Sequence, residues 1–395
     1  MRLKALRLRV MGEFPENIPE WRPEDDECLD GIEDPCIDSL IEGALRERER
    51  QEFGIFQDDL DLDNIAAITS FIQQFSWPHV DSEASALDKL RSDDPGSYLY
   101  FMEGARAYHE GRHAQARDFL SNIKPSGFIS YLIGESEFSL GNMAAALAQY
   151  EQVLAQDPRN VPALISENFV YHHLGQPREQ IAVLDRVLAV NAHIHGAWRS
   201  KGFAYAEIGM NDKARDDFRK ALKLEPNDAG AHFALSKSLA ALHQYTDETR
   251  ESAIAARKLN PNSVDVALHL GNVYSFQKMF SLAAETYQQA LSLCDGRVPE
   301  KKMALCGLGD ALVGSGKYIE ARTIADDLIV MGEQFGYKIR AGALFGMKEY
   351  SLAETDCRRF LGFEPSNKDS LKLLGNICII LGKDQEAKKY FKASY

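Results

Sequence analysis

Along most of the chain, apolar residues fall at i, i+3, i+4 and i+7, the spacing that lines one face of a helix, with polar residues between them. That helical pattern itself recurs. A small residue, once replaced by asparagine, stands mid-way along every second helical stretch, at Gly104, Gly134, Asn168, Gly202, Ser236, Gly271, Gly309, Ala341 and Gly375. Twelve residues after each comes a second register: Ala116, Ala146, Gln180, Ala214, Glu248, Ala283, Ala321, Ala353 and Ala387. A small side chain at such a site lets two helices cross closely where a larger one would hold their axes apart. Stacked repeats bury a continuous core between neighbours, so 395 residues need not divide into two or three globular domains.

Helix ends are marked as clearly as helix faces. Gly111, Gly141, Gly175, Gly209, Gly316 and Gly382 close the first helix of a repeat, where the backbone turns left-handed and glycine is unhindered. Pro158, Pro226, Pro261 and Pro365, each after Asp, Glu or Asn, end second helices. Proline lacks an N–H and disfavours helix in the residue before it.

The fourth repeat carries the fullest set: Trp198, Gly202, Tyr205, Gly209, Ala214, Phe218, Ala221 and Pro226. These positions and their spacing resemble the tetratricopeptide-repeat family. Weaker copies cover 97–395, with repeats starting at 97, 127, 161, 195, 229, 264, 302, 334 and 368. The resemblance implies an all-α fold, a solenoid of about nine helical hairpins in a right-handed superhelix, preceded by a non-repeat acidic N-terminal region. Gly202 is expected at a close crossing beside Ala214 or Tyr205. Regular stacking is expected over 127–228, with distortion at the extra residue near His243-Gln244-Tyr245-Thr246 and at the insertion around 295–301.

Three segments follow from this reading. Residues 1–59 form an acidic, partly disordered arm, rich in proline between Pro15 and Pro35 and in acids between Glu24 and Asp34, with a helical stretch over Ile37–Gln51. Residues 60–96 form a helical cap: Ile65, Ile68, Phe71, Ile72 and Phe75 share one face, and Ser82–Leu90 forms a further helix. Residues 97–395 form the repeat array.

Charge sharpens the division. The net charge is −14, and residues 1–63 alone hold nineteen Asp/Glu against eight Lys/Arg. An acidic balance repels phosphate backbones and counts against nucleic acid as a partner. The start MRLKALRLRVMG is basic but has no apolar run of signal-peptide length, and no stretch approaches 18 apolar residues, so no membrane span is expected. Six cysteines (Cys28, Cys36, Cys294, Cys306, Cys357 and Cys378) form no CxxC pair and are too sparse for a disulfide framework, which points to a reducing compartment and a cytoplasmic location.

Candidate chemistry is thin. The sequence holds no strand-linked GxGxxG, no GxxxxGK[ST], no HExxH and no GxSxG. His172, His173, His193 and His195 lie at spacings that build no metal site, and Asp216-Asp217 and Asp326-Asp327 fit solvated second-helix faces. No catalytic residue, metal or cofactor is expected, and the chain is not expected to be an enzyme.

In the resembled family, first helices line a concave groove, and the second, fifth, ninth and twelfth residues of each repeat tend to face it. The resemblance therefore implies a partner-binding groove of Tyr98, Phe101, Tyr108, Phe128, Tyr131, Phe138, Phe169, His172, Arg199, Phe203, Phe233, Lys237 and Asn272. The same rule reaches Asp310, Lys338 and Phe345, and Lys372 with Asn376 match half of a lysine–asparagine clamp. An aromatic groove suits an apolar extended peptide or an amphipathic helix. The function implied is a protein–protein interaction scaffold or chaperone-like adaptor. The alternative is a regulatory or substrate-recruiting subunit of a larger enzyme complex. The acidic arm, through a stretch such as Phe53–Leu60, is a candidate shield for the groove.

Overall fold

The computed structural model describes residues 65–394, which form twenty helices and no strand. The acidic arm and the expected helix over Ile37–Gln51 lie outside the described residues. Two helices, α1 (Ile65–Gln73) and α2 (Val80–Asp93), precede nine helical pairs. These are α3 (Pro95–His109) and α4 (His113–Leu120), α5 (Gly127–Ser139) and α6 (Met143–Gln156), α7 (Val161–His173) and α8 (Pro177–Val190), then α9 (His195–Glu207) and α10 (Asn211–Leu224). They continue as α11 (Ala229–Ala241) and α12 (Asp247–Leu259), α13 (Val264–Phe276) and α14 (Phe280–Leu293), and α15 (Val298–Gly314) and α16 (Tyr318–Val330). The last are α17 (Phe335–Gly346) and α18 (Tyr350–Phe363), and α19 (Lys368–Ile380) and α20 (Asp384–Ala393). The chain divides into two compact units, Met1–Ile208 with α1–α9 and Gly209–Tyr395 with α10–α20. Within each unit, consecutive helices pack together, and successive first helices also touch: α5 with α7 in the first unit, and α13, α15, α17 and α19 in series in the second.

Local chemistry explains why helices start and stop where they do. Six first helices begin at a side-chain cap: Asp94, Ser126, Asn160, Asp228, Ser263 and Asn367 each accept a backbone N–H of the first turn. Each first helix ends two residues before the fifteenth residue of its repeat. All nine of those fifteenth residues have positive φ, from 56° at His243 to 83° at Gly141. Six are the glycines expected from the sequence; the other three are His243, Lys278 and Lys348, which accept the same conformation without glycine's freedom.

The small-residue register sits at helix crossings, but what it faces is larger than the sequence suggests. A Cβ on Gly104 would come within 2.7 Å of Leu120, one on Gly134 within 2.6 Å of Tyr150, one on Gly271 within 2.6 Å of Tyr287, and one on Gly375 within 2.8 Å of Phe391. In each case the neighbour lies sixteen residues on, so the glycine makes room for a bulky second-helix side chain. The second register is core: Ala116, Ala146, Ala214, Ala283, Ala321, Ala353 and Ala387 are buried, as is Gly202.

The two irregular places resolve locally. At 245 the extra residue is absorbed by a capping box between Thr246 and Thr249, and α12 starts at Asp247. At 295–301 the insertion is partly helix: Asp295 and Gly296 turn the chain with positive φ, and α15 begins at Val298 with Pro299 in its first turn, four residues ahead of the repeat start.

Candidate protein-binding face

In the N-terminal unit, three rings from before the repeats cover the aromatic first-helix positions. Phe71 of α1 meets Phe101 and Phe128 with ring centroids 6.4 and 6.1 Å apart. Phe75 meets Tyr108, Phe128 and Tyr131 at 5.7, 5.5 and 5.9 Å, and Trp77 meets Phe128 and Tyr131 at 5.3 and 5.1 Å. Phe101 and Phe128 keep no accessible surface, and Tyr131 keeps 6%. These three expected groove residues are therefore core. The cause is the end of the array: the first repeats have no preceding repeat to bury their rings, and α1 with Trp77 takes that place. Tyr98 is half-buried beneath the Arg91 guanidinium, 5.3 Å from its ring, which also donates to the Tyr98 hydroxyl at 3.1 Å.

Beyond that cover the same face opens. Phe169 is 39% exposed, and Phe138 and His172 are half-buried, with Phe138 edge-on to His173 at 5.1 Å. Arg199 and Phe203 on α9 are half-buried. One turn before Phe138 lies Glu135, the ninth residue of its repeat, which the candidate set passes over although the repeat rule selects it. Its Oε1 accepts from the Tyr150 hydroxyl at 2.7 Å and the Ser166 hydroxyl at 2.6 Å. Burial pushes the Glu135 carboxyl up, with Ser166 and Tyr150 opposing the shift.

In the C-terminal unit, Phe233 is half-buried under the Lys237 ammonium, 5.3 Å from its ring, and stands edge-on to His269 at 5.4 Å. The Ser236 hydroxyl donates to the Thr249 carbonyl at 2.8 Å, so its 2.8 Å contact with His269 Nε2 is one in which the imidazole donates. Burial, reinforced by Lys237, pulls the His269 pKa down to about 4. Asn272 is exposed and accepts from the Tyr287 hydroxyl at 2.6 Å.

Further along this unit, α15, α17 and α19 border a solvent-open pocket of about 260 Å³. Val313, Ile339, Phe345 and Leu373 give it an apolar lining, and the Asp310–Lys338 ion pair, 2.9 Å, lies at its wall. Gly342 and Gly346 line its α17 side, where a Cβ would come within 3.1 Å of Val313 at Gly342 and within 2.3 Å of Tyr318 at Gly346. The Ser370 hydroxyl borders it, buried and with no hydrogen-bond partner among the described residues. The repeat rule reaches Asp310, Lys338 and Phe345 and, at the ninth place of its repeat, Gly342; Gly346 carried no signal beyond being a small residue in a helix. Lys372 and Asn376 are exposed on α19.

Sequence models of the tetratricopeptide repeat match residues 130–160, 195–228 and 264–295. The chain is a tetratricopeptide-repeat protein. It is 21% identical over 366 residues to "Protein CTR9 homolog" of Arabidopsis thaliana, a match covering 88% of this chain and 31% of that protein. It is 28% identical over 96 residues to "DnaJ homolog subfamily C member 3" of Mus musculus, covering 24% of this chain and 19% of that protein. The match thus spans under a third of the first relative and about a fifth of the second. Among solved structures, YrrB, described as a TPR protein with an unusual peptide-binding site, superposes on 51% of this chain and 95% of its own, with 18% identity and a TM-score of 0.41.

Three of the four second-helix acids singled out in the sequence are held in ion pairs. Asp216 pairs with Arg215 and Arg219, Asp217 with Lys220, and Asp326 with Arg340, which also grips Asp356 at 2.7 Å. Among the described residues one group, Glu354, Cys378 and Glu386, has the proximity of a metal site. Lys383 and Arg358 already satisfy Glu354 at 2.7 and 2.8 Å, and Arg358 also holds Glu386. No described helix is long and apolar enough to cross a membrane.

Proposed function

We propose that this protein is a non-catalytic scaffold or chaperone-like adaptor of the cytoplasm that holds partner peptides or helices on its first-helix face. The family implies protein–protein interaction. The observation that carries the finer reading is the pocket between α15, α17 and α19. It joins apolar walls to a charged pair and an unsatisfied hydroxyl, the mixture that fixes a side chain in a protein-binding cleft. The exposed ring of Phe169 and its half-buried neighbours in the N-terminal unit add a second apolar contact area. The free, buried thiols of Cys294, Cys357 and Cys378 support a reducing compartment.

Crosslinking the full chain in its native extract and mapping the crosslinked peptides tests the reading. Partner peptides should join first helices, and Leu373→Glu, which puts a charge into the pocket's apolar lining, should deplete those at α15–α19. Crosslinks confined to second helices would overturn it. Recovery in fixed ratio with a catalytic chain would instead favour a substrate-recruiting subunit.

A further inference from the structure

Repeats 2 and 6 build the same joint around a tyrosine but present it with different acceptors. In each, a glycine on the first helix makes room for a second-helix tyrosine sixteen residues later, Gly134 for Tyr150 and Gly271 for Tyr287. In each, the tyrosine hydroxyl reaches the ninth residue of its own repeat, Glu135 at 2.7 Å and Asn272 at 2.6 Å. Asn272 shows that a neutral amide oxygen satisfies this tyrosine. The charge of Glu135 is therefore surplus to the packing it takes part in. A carboxylate drawn half out of water is costly unless a cation or several donors compensate it. Here the two donors converge on Oε1, from Tyr150 and Ser166, and no ion pair of Glu135 exists among the described residues. The setting adds apolar surface. Phe138 lies one turn after Glu135 on α5, and Phe169 one turn after Ser166 on α7, and the Glu135–Ser166 bond ties those two helices together.

We infer that Glu135 is a seat for a basic side chain of a bound partner: a lysine or arginine whose neighbouring apolar residue lies on Phe138 and Phe169. The inference rests on the proposed binding role of the first-helix face and adds the chemistry of the partner. A lysine or arginine fits because its aliphatic stem runs along the rings while its head reaches the carboxylate. An acidic segment is disfavoured here, since its charge would meet that of Glu135.

Panning a phage-displayed random dodecapeptide library on the immobilised full-length chain provides the probe. Enriched peptides should place Lys or Arg beside an aromatic or aliphatic residue. A synthetic peptide of the enriched sequence should bind the Glu135→Gln chain roughly tenfold more weakly than the parent. Replacing its basic residue by norleucine should weaken binding to the parent by a similar factor, and binding to Glu135→Gln hardly at all. Glutamine keeps an acceptor for Tyr150 and Ser166, so helicity should not change. The norleucine peptide tested on the parent chain gives an answer even if the variant misfolds. Failure to enrich any peptide would overturn the binding role of the face and the inference with it. Enriched peptides without a basic residue, or equal affinity of the basic and norleucine peptides for the parent chain, would overturn the cation seat alone.

Discussion

The sixth residue of a repeat reaches back to the preceding repeat, and three repeats use it in three ways. In the N-terminal unit, Ser166 donates a hydrogen bond to Glu135. In the C-terminal unit, His269 donates to Ser236, while Gly307 offers no side chain and lets the Tyr287 ring lie so close that a Cβ would sit 2.4 Å from it. One position thus serves as polar tie, acid-sensitive tie or empty space, according to what the previous repeat presents. The first-helix aromatics teach the same lesson on a larger scale. Phe128, in the second repeat, is core because α1 and Trp77 cover it, whereas Phe169, in the third, stands 39% exposed. A repeat position has a geometry; whether it binds or packs depends on its neighbours.

The largest effect should come from breaking the covered side of that contrast. Phe128→Ala removes a ring held by Phe71, Phe75 and Trp77 and should cost about 3–5 kcal/mol in urea denaturation. A loss of binding with the midpoint unchanged would return Phe128 to the groove.

Next is the acid-sensitive tie. The folded pKa of His269, about 4, lies below its ordinary 6.5, so the folded chain binds fewer protons than the unfolded one between those values. The stabilisation is complete above pH 6.5 and is lost as pH falls towards 4. At 1.36 kcal/mol per unit, the parent should lose up to about 3 kcal/mol more than His269→Gln across that window. Parallel stability–pH curves for the two chains would show that His269 titrates normally.

A smaller effect should follow from making the sixth position of repeat 7 like that of repeat 3. Gly307→Ser drives a Cβ into the Tyr287 ring and should cost about 1–3 kcal/mol, outweighing the roughly 0.5 kcal/mol gained from leaving glycine in a helix. A midpoint equal to or above the parent's would mean that Tyr287 swings aside freely.

The smallest effect belongs to the open side. Phe169→Ala should change stability by no more than about 0.5 kcal/mol while weakening peptide binding in the panning assay above. A large stability loss would show that Phe169 is buried as Phe128 is.

The alternation of helix faces, the twin small-residue register and the glycines at helix ends made the hairpin architecture legible, because these features act within one repeat. Ile68, Phe71 and Ile72 were legible as one buried face, and they have almost no accessible surface. Ile65, assigned to that face, is 45% exposed. The candidate site was less legible. Phe101, Phe128 and Phe169 carry the same ring at groove-facing places of their repeats, the fifth, second and ninth, and which of them is sealed depends on what packs over them. Glu135 was passed over because its meaning depends on Tyr150, fifteen residues away, and Ser166, in the next repeat.

By itself, then, the sequence determined an all-α chain of tetratricopeptide hairpins, down to the glycines at which six of the nine first helices turn left-handed. The tertiary structure decided which aromatic positions are sealed by α1, that the insertion at 295–301 lengthens α15, and that a carboxylate and an amide receive equivalent tyrosines. Helix pattern and helix ends are set by residues a few places apart, which a sequence displays directly. Burial and charge compensation are set by side chains brought together from different helices, and that requires the packed chain.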